Sequence, residues 1–238
     1  MVDPPGPARL LLVEDDDEVR RALRLTLRDE GYEVVEAATG RETLLKLGDV
    51  DAVLLDLTLP DTDGVHLCRR IRAAGNLPVI MVTGRTDSGQ VVAGLEAGAD
   101  DYVTKPVIGE VLAARVRAVL RRVRPTLARR LQVGDLELLV EEGTTRRAGR
   151  ELHLTHTEFR LLVELAAHAG HVVTREQLLQ HVWGYDYFGD TRLLDVHIRR
   201  LRSKVERDPD HPELVTTVRS VGYRLLPQPA DGAAPPPV

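Results

Sequence analysis

In the first half of the chain, short apolar runs alternate with longer stretches in which apolar residues recur at helical spacing. Five runs have the length and composition of buried strands: RLLLV, YEVVEA, DAVLLDL, PVIMVT and DYVTK. Between them apolar residues return every three or four positions, as in Val19, Ala22, Leu23 and Leu27. Alternation of this kind predicts a parallel sheet with helices on both faces.

The pattern changes after residue 122. The segment LQVGDLELLVEEGTTRRAGRELHL alternates like antiparallel strands, and the chain ends in the hairpin-like LVTTVRSVGYRLL. Between these lie three predicted helices, near 156–168, 174–183 and 190–206. Thr155 with Glu158, and Thr174 with Gln177, have the spacing of a capping box, which predicts two of the helix starts. These features predict a second, α+β domain.

Composition narrows the class of protein. The single cysteine, Cys68, excludes an internal disulfide and has the spacing of a core residue, so we expect a reducing compartment. No apolar run is long enough to span a bilayer, and the N-terminal residues lack the apolar stretch of a signal peptide, which predicts a cytoplasmic protein without membrane contact. The first 122 residues carry the whole net charge of -5, and the remainder is balanced. Two differently charged halves indicate two separate tasks.

Reactive side chains follow four of the five predicted strands. Glu14 and Asp15 follow the first strand, Asp56 the third, Thr83 the fourth and Lys105 the fifth. Because parallel strands share one carboxyl edge, we expect these side chains to meet there. Three neighbouring carboxylates repel one another unless a divalent cation lies among them, and Mg²⁺ is the preferred ion for such a set.

The same set suits a phosphoryl group. A carboxylate can act as the nucleophile, Thr83 as a hydrogen-bond donor and Lys105 as a fixed positive charge. Taken singly, an aspartate after an apolar run is more often a turn residue than a nucleophile. The acids that follow Asp15 have a different explanation, since acidic side chains are favoured in the first turn of a helix: Asp16, Asp17 and Glu18.

Residues 8–122 resemble the receiver domain of a bacterial two-component response regulator. The resemblance rests on LLVEDD, AVLLDLTLPDTDG, PVIMVTGR and GADDYVTKP. It implies a doubly wound, five-stranded parallel sheet of flavodoxin-like order 2-1-3-4-5. It also implies that Asp56 accepts phosphate from a histidine kinase, while Glu14, Asp15, Asp56 and the carbonyl of Thr58 bind Mg²⁺.

By the same resemblance, Thr83 and Lys105 contact the phosphoryl oxygens, and Tyr102 changes rotamer with Thr83. Two residues depart from the family pattern: Gly84 stands where the family usually has Ala or Ser, and Val107 stands where Phe is common. Neither departure removes a reactive group.

The last predicted helix combines an apolar and a basic face. Leu194, Ile198, Leu201 and Val205 share one side, whereas several basic residues lie elsewhere. Any amphipathic surface helix has this pattern. The alternative is a recognition helix in a DNA major groove, where arginines meet phosphates or guanine edges.

Residues 131–227 resemble the winged-helix DNA-binding domain of OmpR/PhoB-type regulators. The motifs are LTHTEFRLLVEL, VVTREQLLQHVWGYDY, DTRLLDVHIRRLRSKVE and LVTTVRSVGYRL. A linker is predicted at 123–130, and the Pro/Gly/Ala-rich composition of residues 228–238 predicts a disordered tail. The predicted DNA-binding residues on the helix are Arg192, His197 and Arg199 on phosphates, Val196 and Arg200 on bases, and Arg202. Thr217 and Arg219 lie at the tip of the predicted final hairpin, the wing, where they suit backbone and minor-groove contact. Leu193 replaces a commoner Thr, so a base contact there would be apolar.

The resemblance also places a dimer surface on the fourth helix, fifth strand and fifth helix, used after phosphorylation. The predicted interface residues are Val91, Leu95, Glu96, Asp100, Asp101, Val111, Arg115 and Arg117. The expected partners are a sensor histidine kinase, double-stranded DNA and a second copy of the chain, with RNA polymerase as a further candidate.

Two alternatives remain open at this point. The first is an Mg²⁺-dependent phosphohydrolase of the haloacid-dehalogenase type, although that class needs a second aspartate where Thr58 stands. The second keeps the DNA-binding domain but makes the receiver a constitutive, unphosphorylated dimerisation unit. We expect instead a transcriptional regulator that catalyses only its own phosphoryl transfer and dephosphorylation.

Overall fold

The chain forms two compact units, Met1–Arg121 and Arg122–Val238. The computed structural model describes residues 6–84, 88–121, 130–184 and 192–227. The predicted tail at 228–238 lies outside these ranges, as does the predicted linker, except for Arg130, which begins a strand. Within the described ranges, no helix is long and apolar enough to cross a membrane.

The N-terminal unit is a five-stranded parallel sheet in the order β2-β1-β3-β4-β5, as predicted. Its elements are β1 Arg9–Val13, α1 Asp17–Asp29, β2 Glu33–Ala37, α2 Gly40–Leu45, β3 Ala52–Asp56, α3 Gly64–Ala74, β4 Val79–Thr83, α4 Ser88–Glu96, β5 Asp101–Thr104 and α5 Gly109–Leu120. Strands β3 and β4 are buried at every position, as their continuous apolar runs require.

Both faces of the sheet are covered. On one face, Leu10, Leu54 and Ile80 pack with Leu27 of α1 and Val116 of α5. Cys68 of α3 is fully buried, as predicted. The acids after β1 start a helix as expected, since Asp16 caps α1 through the amides of Glu18 and Val19 at 2.9 and 3.0 Å.

The C-terminal unit has the architecture of a winged helix. A four-stranded antiparallel sheet precedes three helices, and a hairpin follows them and pairs with a short strand. The elements are β6 Arg130–Val133, β7 Leu136–Leu139, β8 Thr144–Arg147, β9 Arg150–Leu152, α6 His156–Ala167, β10 Val172–Thr174, α7 Arg175–Val182, α8 Arg192–Val205, β11 Val215–Val218 and β12 Gly222–Leu225.

Two predicted capping boxes fix the starts of α6 and α7. Thr155 and Thr174 are N-caps, and each forms the reciprocal capping box with the Glu or Gln three residues later. Helix α8 turns Leu194, Ile198 and Leu201 into the core, where all are at most 1% exposed. The amphipathic pattern therefore gives the correct inner face of this helix.

Candidate functional sites

The predicted acidic site forms at the carboxyl edge of the parallel sheet. Glu14 and Asp15 directly follow β1, Asp56 ends β3, Thr83 ends β4 and Lys105 directly follows β5. The carboxylates of Glu14, Asp15 and Asp56 have ligand atoms within 4.8 Å of one another. Glu14 and Asp56 are buried, whereas Asp15 is exposed, so the cluster opens to solvent on one side.

Lys105 lies between two of these carboxylates. Its Nζ is 2.6 Å from Glu14 Oε2 and 3.0 Å from Asp56 Oδ2. Its backbone amide donates to the carbonyl of Thr83 at 2.7 Å, and the Lys105–Pro106 peptide bond is cis. The lysine is therefore fixed at both its backbone and its side chain.

Burial and charge shift two groups of this cluster. Burial raises the pKa of Glu14; the Lys105 hydrogen bond opposes this, and the Asp56 charge adds to it. Burial would lower the pKa of Lys105, but its hydrogen bonds to Glu14 and Asp56 outweigh that effect and raise it. The site thus holds a permanent positive charge beside carboxylates that repel each other.

The donor set fits a hard divalent cation. Carboxylate oxygens from three residues converge, and the exposed side leaves room for water and phosphate oxygens, the mixture that Mg²⁺ prefers. Thr58 stands two residues beyond Asp56 and donates its amide to Asp56 Oδ1 at 3.3 Å. Thr83 is buried at the end of β4, and Tyr102 is half-buried on β5, paired in register with Met81. The structure therefore gathers Glu14, Asp15, Asp56, Thr83 and Lys105 at one sheet edge, whereas Tyr102 lies two residues before the carboxyl end of β5.

In the C-terminal unit, α8 has an outer face and a polar inner edge. Arg192, Asp195 and Arg199 are exposed, and Val196 is partly exposed. On the inner edge, Arg200 and Lys204 approach the buried carboxylate of Glu158 on α6, at 2.7 and 2.5 Å. Only some of the basic residues of α8 therefore face solvent.

The hairpin β11–β12, the wing, is attached to α8 by polar contacts. Arg202 donates through Nε and Nη2 to the carbonyl of Val215, at 2.9 and 2.7 Å, and through Nη2 to Thr217 Oγ1 at 2.8 Å. Asp195 accepts from the Tyr223 hydroxyl at 2.6 Å and from Arg175 at 2.7 and 2.9 Å. These contacts fix the wing against the recognition helix candidate.

Comparison with known proteins matches one family to each unit of the chain. The response regulator receiver domain family matches residues 10–117, and the family described as transcriptional regulatory protein, C terminal, matches residues 149–225. The transcriptional regulatory protein AfsQ1 of Streptomyces coelicolor is 49% identical over 220 residues, or 92% of this chain and 98% of that protein. The DNA-binding response regulator MtrA of Mycolicibacterium smegmatis is 46% identical over 221 residues, or 92% and 97% of the two chains.

The solved structures give the same result. The crystal structure of DrrB, a Thermotoga maritima OmpR/PhoB homolog, matches with a TM-score of 0.51 and 34% identity, over 92% of this chain and 99% of that one. The chain belongs to the OmpR/PhoB family of response regulators. A mutant of RitR also matches, with a TM-score of 0.75 and 29% identity, over 94% of this chain and all of that one. The protein is thus a two-component, DNA-binding transcriptional regulator with a histidine kinase as partner.

Three DNA-contact predictions for this OmpR/PhoB regulator, and the conditional apolar contact at Leu193, do not agree with the structure. His197 is fully buried, with its ring centroid 5.4 Å from that of Trp183, and Leu193 is 1% exposed. Neither side chain therefore lies on the surface, where a DNA contact would have to be. The guanidinium of Arg200 is held by Glu158, and that of Arg202 by the wing. By contrast Arg192, Arg199, Thr217 and Arg219 are exposed, as DNA contacts require, and Val196 is partly exposed.

Sequence reasoning missed the residues that hold the regulator's recognition helix. The sequence identifies Glu158 only as part of a helix cap and predicts no role for Arg175, Asp195 and Tyr223. One signal was present: Arg200 and Lys204 are four residues apart and therefore lie on the same side of α8, beside its apolar face. Two cations so placed need a buried anion, which the sequence alone does not locate.

The predicted dimer surface of the regulator is also partly internal. Leu95, Asp100 and Asp101 are at most 1% exposed. Asp100 pairs with Arg72 and accepts from the amide of Val79, while Asp101 accepts from Arg115 at 3.1 Å, so these acids are used within the chain. Arg117 pairs with Glu30 at 2.8 Å. Glu96 and Val111 are exposed and Val91 is partly exposed, as an interface requires.

Replacing Arg199 by alanine should weaken binding of this regulator to specific and random DNA alike. The guanidinium is exposed on α8, where it can neutralise one phosphate, so the slope of log affinity against log salt should fall by about 1. Fluorescence anisotropy over a salt series measures this, with Arg150→Ala, an exposed arginine of β9, as the matched control. A slope that Arg199→Ala leaves unchanged would place Arg199 outside the interface.

Proposed function

We propose that this regulator accepts a phosphoryl group on Asp56 from a histidine kinase and then binds promoter DNA as a dimer. The observation that carries the proposal is the position of Asp56, a buried carboxylate at the sheet edge whose Oδ2 is 3.0 Å from the Lys105 ammonium. A carboxylate beside a fixed cation can attack phosphorus and become an acyl phosphate.

Each group at the site has a task in the proposed transfer. Asp56 forms the bond to phosphorus while the bond from phosphorus to the donor breaks. Mg²⁺, held by Glu14, Asp15, Asp56 and the carbonyl of Thr58, would neutralise charge on the phosphoryl oxygens. Lys105 and Thr83 contact those oxygens, and Tyr102 changes rotamer as Thr83 moves. The protein catalyses its own phosphorylation and dephosphorylation and acts on no separate substrate.

The exposed surface of α8 and the wing supports the DNA-binding part of the proposal. Arg192 and Arg199 suit phosphates, Val196 a base edge, and Thr217 and Arg219 the backbone and minor groove beside the wing. A DNA target also supports a cytoplasmic location. RNA polymerase remains a candidate partner within this proposal.

Phosphorylation should produce a dimer that withstands salt. Exposed ion pairs contribute about 0–1 kcal/mol each and weaken with salt, whereas burying apolar side chains contributes about 1–3 kcal/mol and is not screened. Val111 is 40% exposed on α5, and Val91 on α4 is partly exposed, so the proposed contact is apolar. Analytical ultracentrifugation of the protein with acetyl phosphate and Mg²⁺, from low to high salt, measures the dimer fraction.

The variant Val111→Arg separates this dimer from a charged one. It should abolish the phosphorylated dimer at all salt concentrations, while Leu45→Arg, at an exposed leucine of α2, should leave it intact. A dimer that salt disperses and Val111→Arg does not affect would contradict the apolar interface. A dimer of equal strength without any phosphoryl donor would favour the constitutive alternative.

A further inference from the structure

The loop that follows Asp56, residues 57–63, is closed on itself at its base. Thr58 and Asp63 form an isolated antiparallel bridge, and the amide of Gly64 donates to the carbonyl of Leu57 at 2.9 Å. A side chain at Gly64 would place its Cβ 2.5 Å from the carbonyl oxygen of Asp56, so α3 begins directly against the phosphoacceptor. The base of this loop is therefore fixed to the acidic site.

The tip of the loop is bound to a different element. The two carboxylate oxygens of Asp61 accept from the amides of Gly40 and Arg41, at 2.8 and 3.0 Å. These are the first two residues of α2, and the N-cap of that helix, Thr39, serves a third amide, that of Glu42, at 3.1 Å. Asp61 thus accepts hydrogen bonds from two backbone amides at the start of α2 that have no partner within the helix. These hydrogen bonds connect the loop to α2.

A close approach accompanies these hydrogen bonds. Gly40 is buried, and a Cβ there would overlap the methyl group of Thr62, next to Asp61. The loop tip therefore packs closely against the first residue of α2.

The charge state of Asp61 agrees with this contact. The hydrogen bonds from the Gly40 and Arg41 amides lower the pKa of the Asp61 carboxyl below its ordinary value, so the carboxylate is ionised at neutral pH. An ionised group accepting from amides at a helix start forms charge-assisted hydrogen bonds.

We propose that Asp61 is a positioning residue for the cation site, which it serves by anchoring the 57–63 loop to α2. This inference rests on the proposed function, in which the carbonyl of Thr58 is a cation ligand. Thr58 lies at the base of the loop and Asp61 at its tip, three residues further on. Mg²⁺ demands near-ideal octahedral geometry, so a loop released from α2 should bind it less tightly.

Direct cation binding by the full-length protein tests the proposal, with Mn²⁺ as the probe and its free fraction read by electron paramagnetic resonance. Asp61→Ala should raise the dissociation constant for Mn²⁺ about three- to tenfold. Replacing a residue that hydrogen-bonds directly to a metal ligand typically weakens metal binding by about 10–100-fold, and we expect a smaller effect here because Asp61 is exposed and acts through the loop. Asp61→Asn keeps one acceptor oxygen, so its dissociation constant for Mn²⁺ should lie between those of wild type and Asp61→Ala. The rate of phosphorylation at saturating Mg²⁺ should be unchanged.

The matched control is Thr39→Ala. It removes a cap from the same helix α2 but leaves the Asp61 link, so it should lower stability while leaving the Mn²⁺ constant unchanged. Equal Mn²⁺ binding by wild type and Asp61→Ala, or equal weakening by Thr39→Ala, would overturn the proposal and leave the function intact. A wild-type protein that binds no Mn²⁺ and accepts no phosphate would overturn both.

Discussion

Replacing Glu158 by alanine should destabilise the C-terminal unit by about 3 kcal/mol, because removing one partner of a buried charge network leaves the others unpaired. The Glu158 side chain is fully buried, and it holds Arg200 of α8 at 2.7 Å and Lys204 at 2.5 Å. Its Oε2 also accepts from the amide of Thr155 at 2.8 Å, which completes the capping box of α6. One carboxylate therefore joins the start of α6 to the recognition helix.

The charge of Glu158 should matter as much as its shape. Burial would raise the pKa of the Glu158 carboxyl, but Arg200 and Lys204 outweigh burial and lower it. Because the pKa is lowered, the carboxylate stabilises the fold at pH values above 4.5, the ordinary pKa. This contribution is lost as the pH falls through the lowered pKa of the folded protein. Glu158→Gln should accordingly lower the free energy of unfolding near pH 7 and have little effect on it in strong acid.

Tryptophan fluorescence during urea unfolding measures this effect in the full-length chain. The chain has one tryptophan, Trp183, which is buried at the end of α7 and so reports the C-terminal unit. The matched control is Gln177→Ala, which removes the same part of the capping box from α7 but no charge pair, and should cost about 1 kcal/mol or less. Equal losses for Glu158→Ala and Gln177→Ala would show that Glu158 is only a cap.

The N-terminal unit should lose about 3 kcal/mol of stability between pH 4 and pH 7 through Asp101 alone. Complete burial raises the pKa of Asp101 to about 6, although Arg115 at 3.1 Å and the amide of Tyr102 oppose the shift. Between the ordinary value of 3.8 and about 6, the folded chain carries a proton that the unfolded chain has released. Stability from this group is present at low pH and is lost as the pH rises, at about 1.4 kcal/mol per unit.

A difference measurement isolates this group from the other acids. Asp101→Asn has nearly the same shape and does not titrate, so wild-type stability minus that of the variant should fall across this range. Far-UV circular dichroism in urea, after subtraction of the transition reported by Trp183, gives the stability of the N-terminal unit. Asp16→Asn is the control: amide hydrogen bonds from Val19 and Glu18 lower the pKa of Asp16, so its contribution changes only below the ordinary value of 3.8 and its difference curve should be nearly flat from pH 4 to pH 7. A flat difference curve for Asp101→Asn would contradict the prediction.

The sequence predicts the acidic site well because the geometry of a parallel sheet is regular. Alternating strands and helices require the strands to run in one direction, and residues that follow successive strands then meet at one edge. Glu14, Asp56 and Lys105 are brought together for this reason, although they are separated by up to 91 residues. Capping boxes are equally predictable, since both partners lie within one turn.

Positions of long polar side chains are harder to predict. Arg200 has the chemistry of a base-reading residue, but its direction depends on Glu158, whose position relative to α8 follows from tertiary packing. Asp100 and Asp101 follow a Gly-Ala pair, like acids of an exposed turn, but Arg72 and Arg115 hold them in the interior. His197 is the exception: it lies three residues after Leu194 and four before Leu201, so its spacing already puts it on the buried face.

Intact-mass spectrometry of the chain after incubation with acetyl phosphate and Mg²⁺ tests the central claim most directly. Wild type should gain one phosphate, the gain should require Mg²⁺, and Asp56→Asn should gain none while keeping its fold by circular dichroism. The contrary result is an Asp56→Asn protein that takes up phosphate with the wild-type stoichiometry, or a wild-type protein that takes up none.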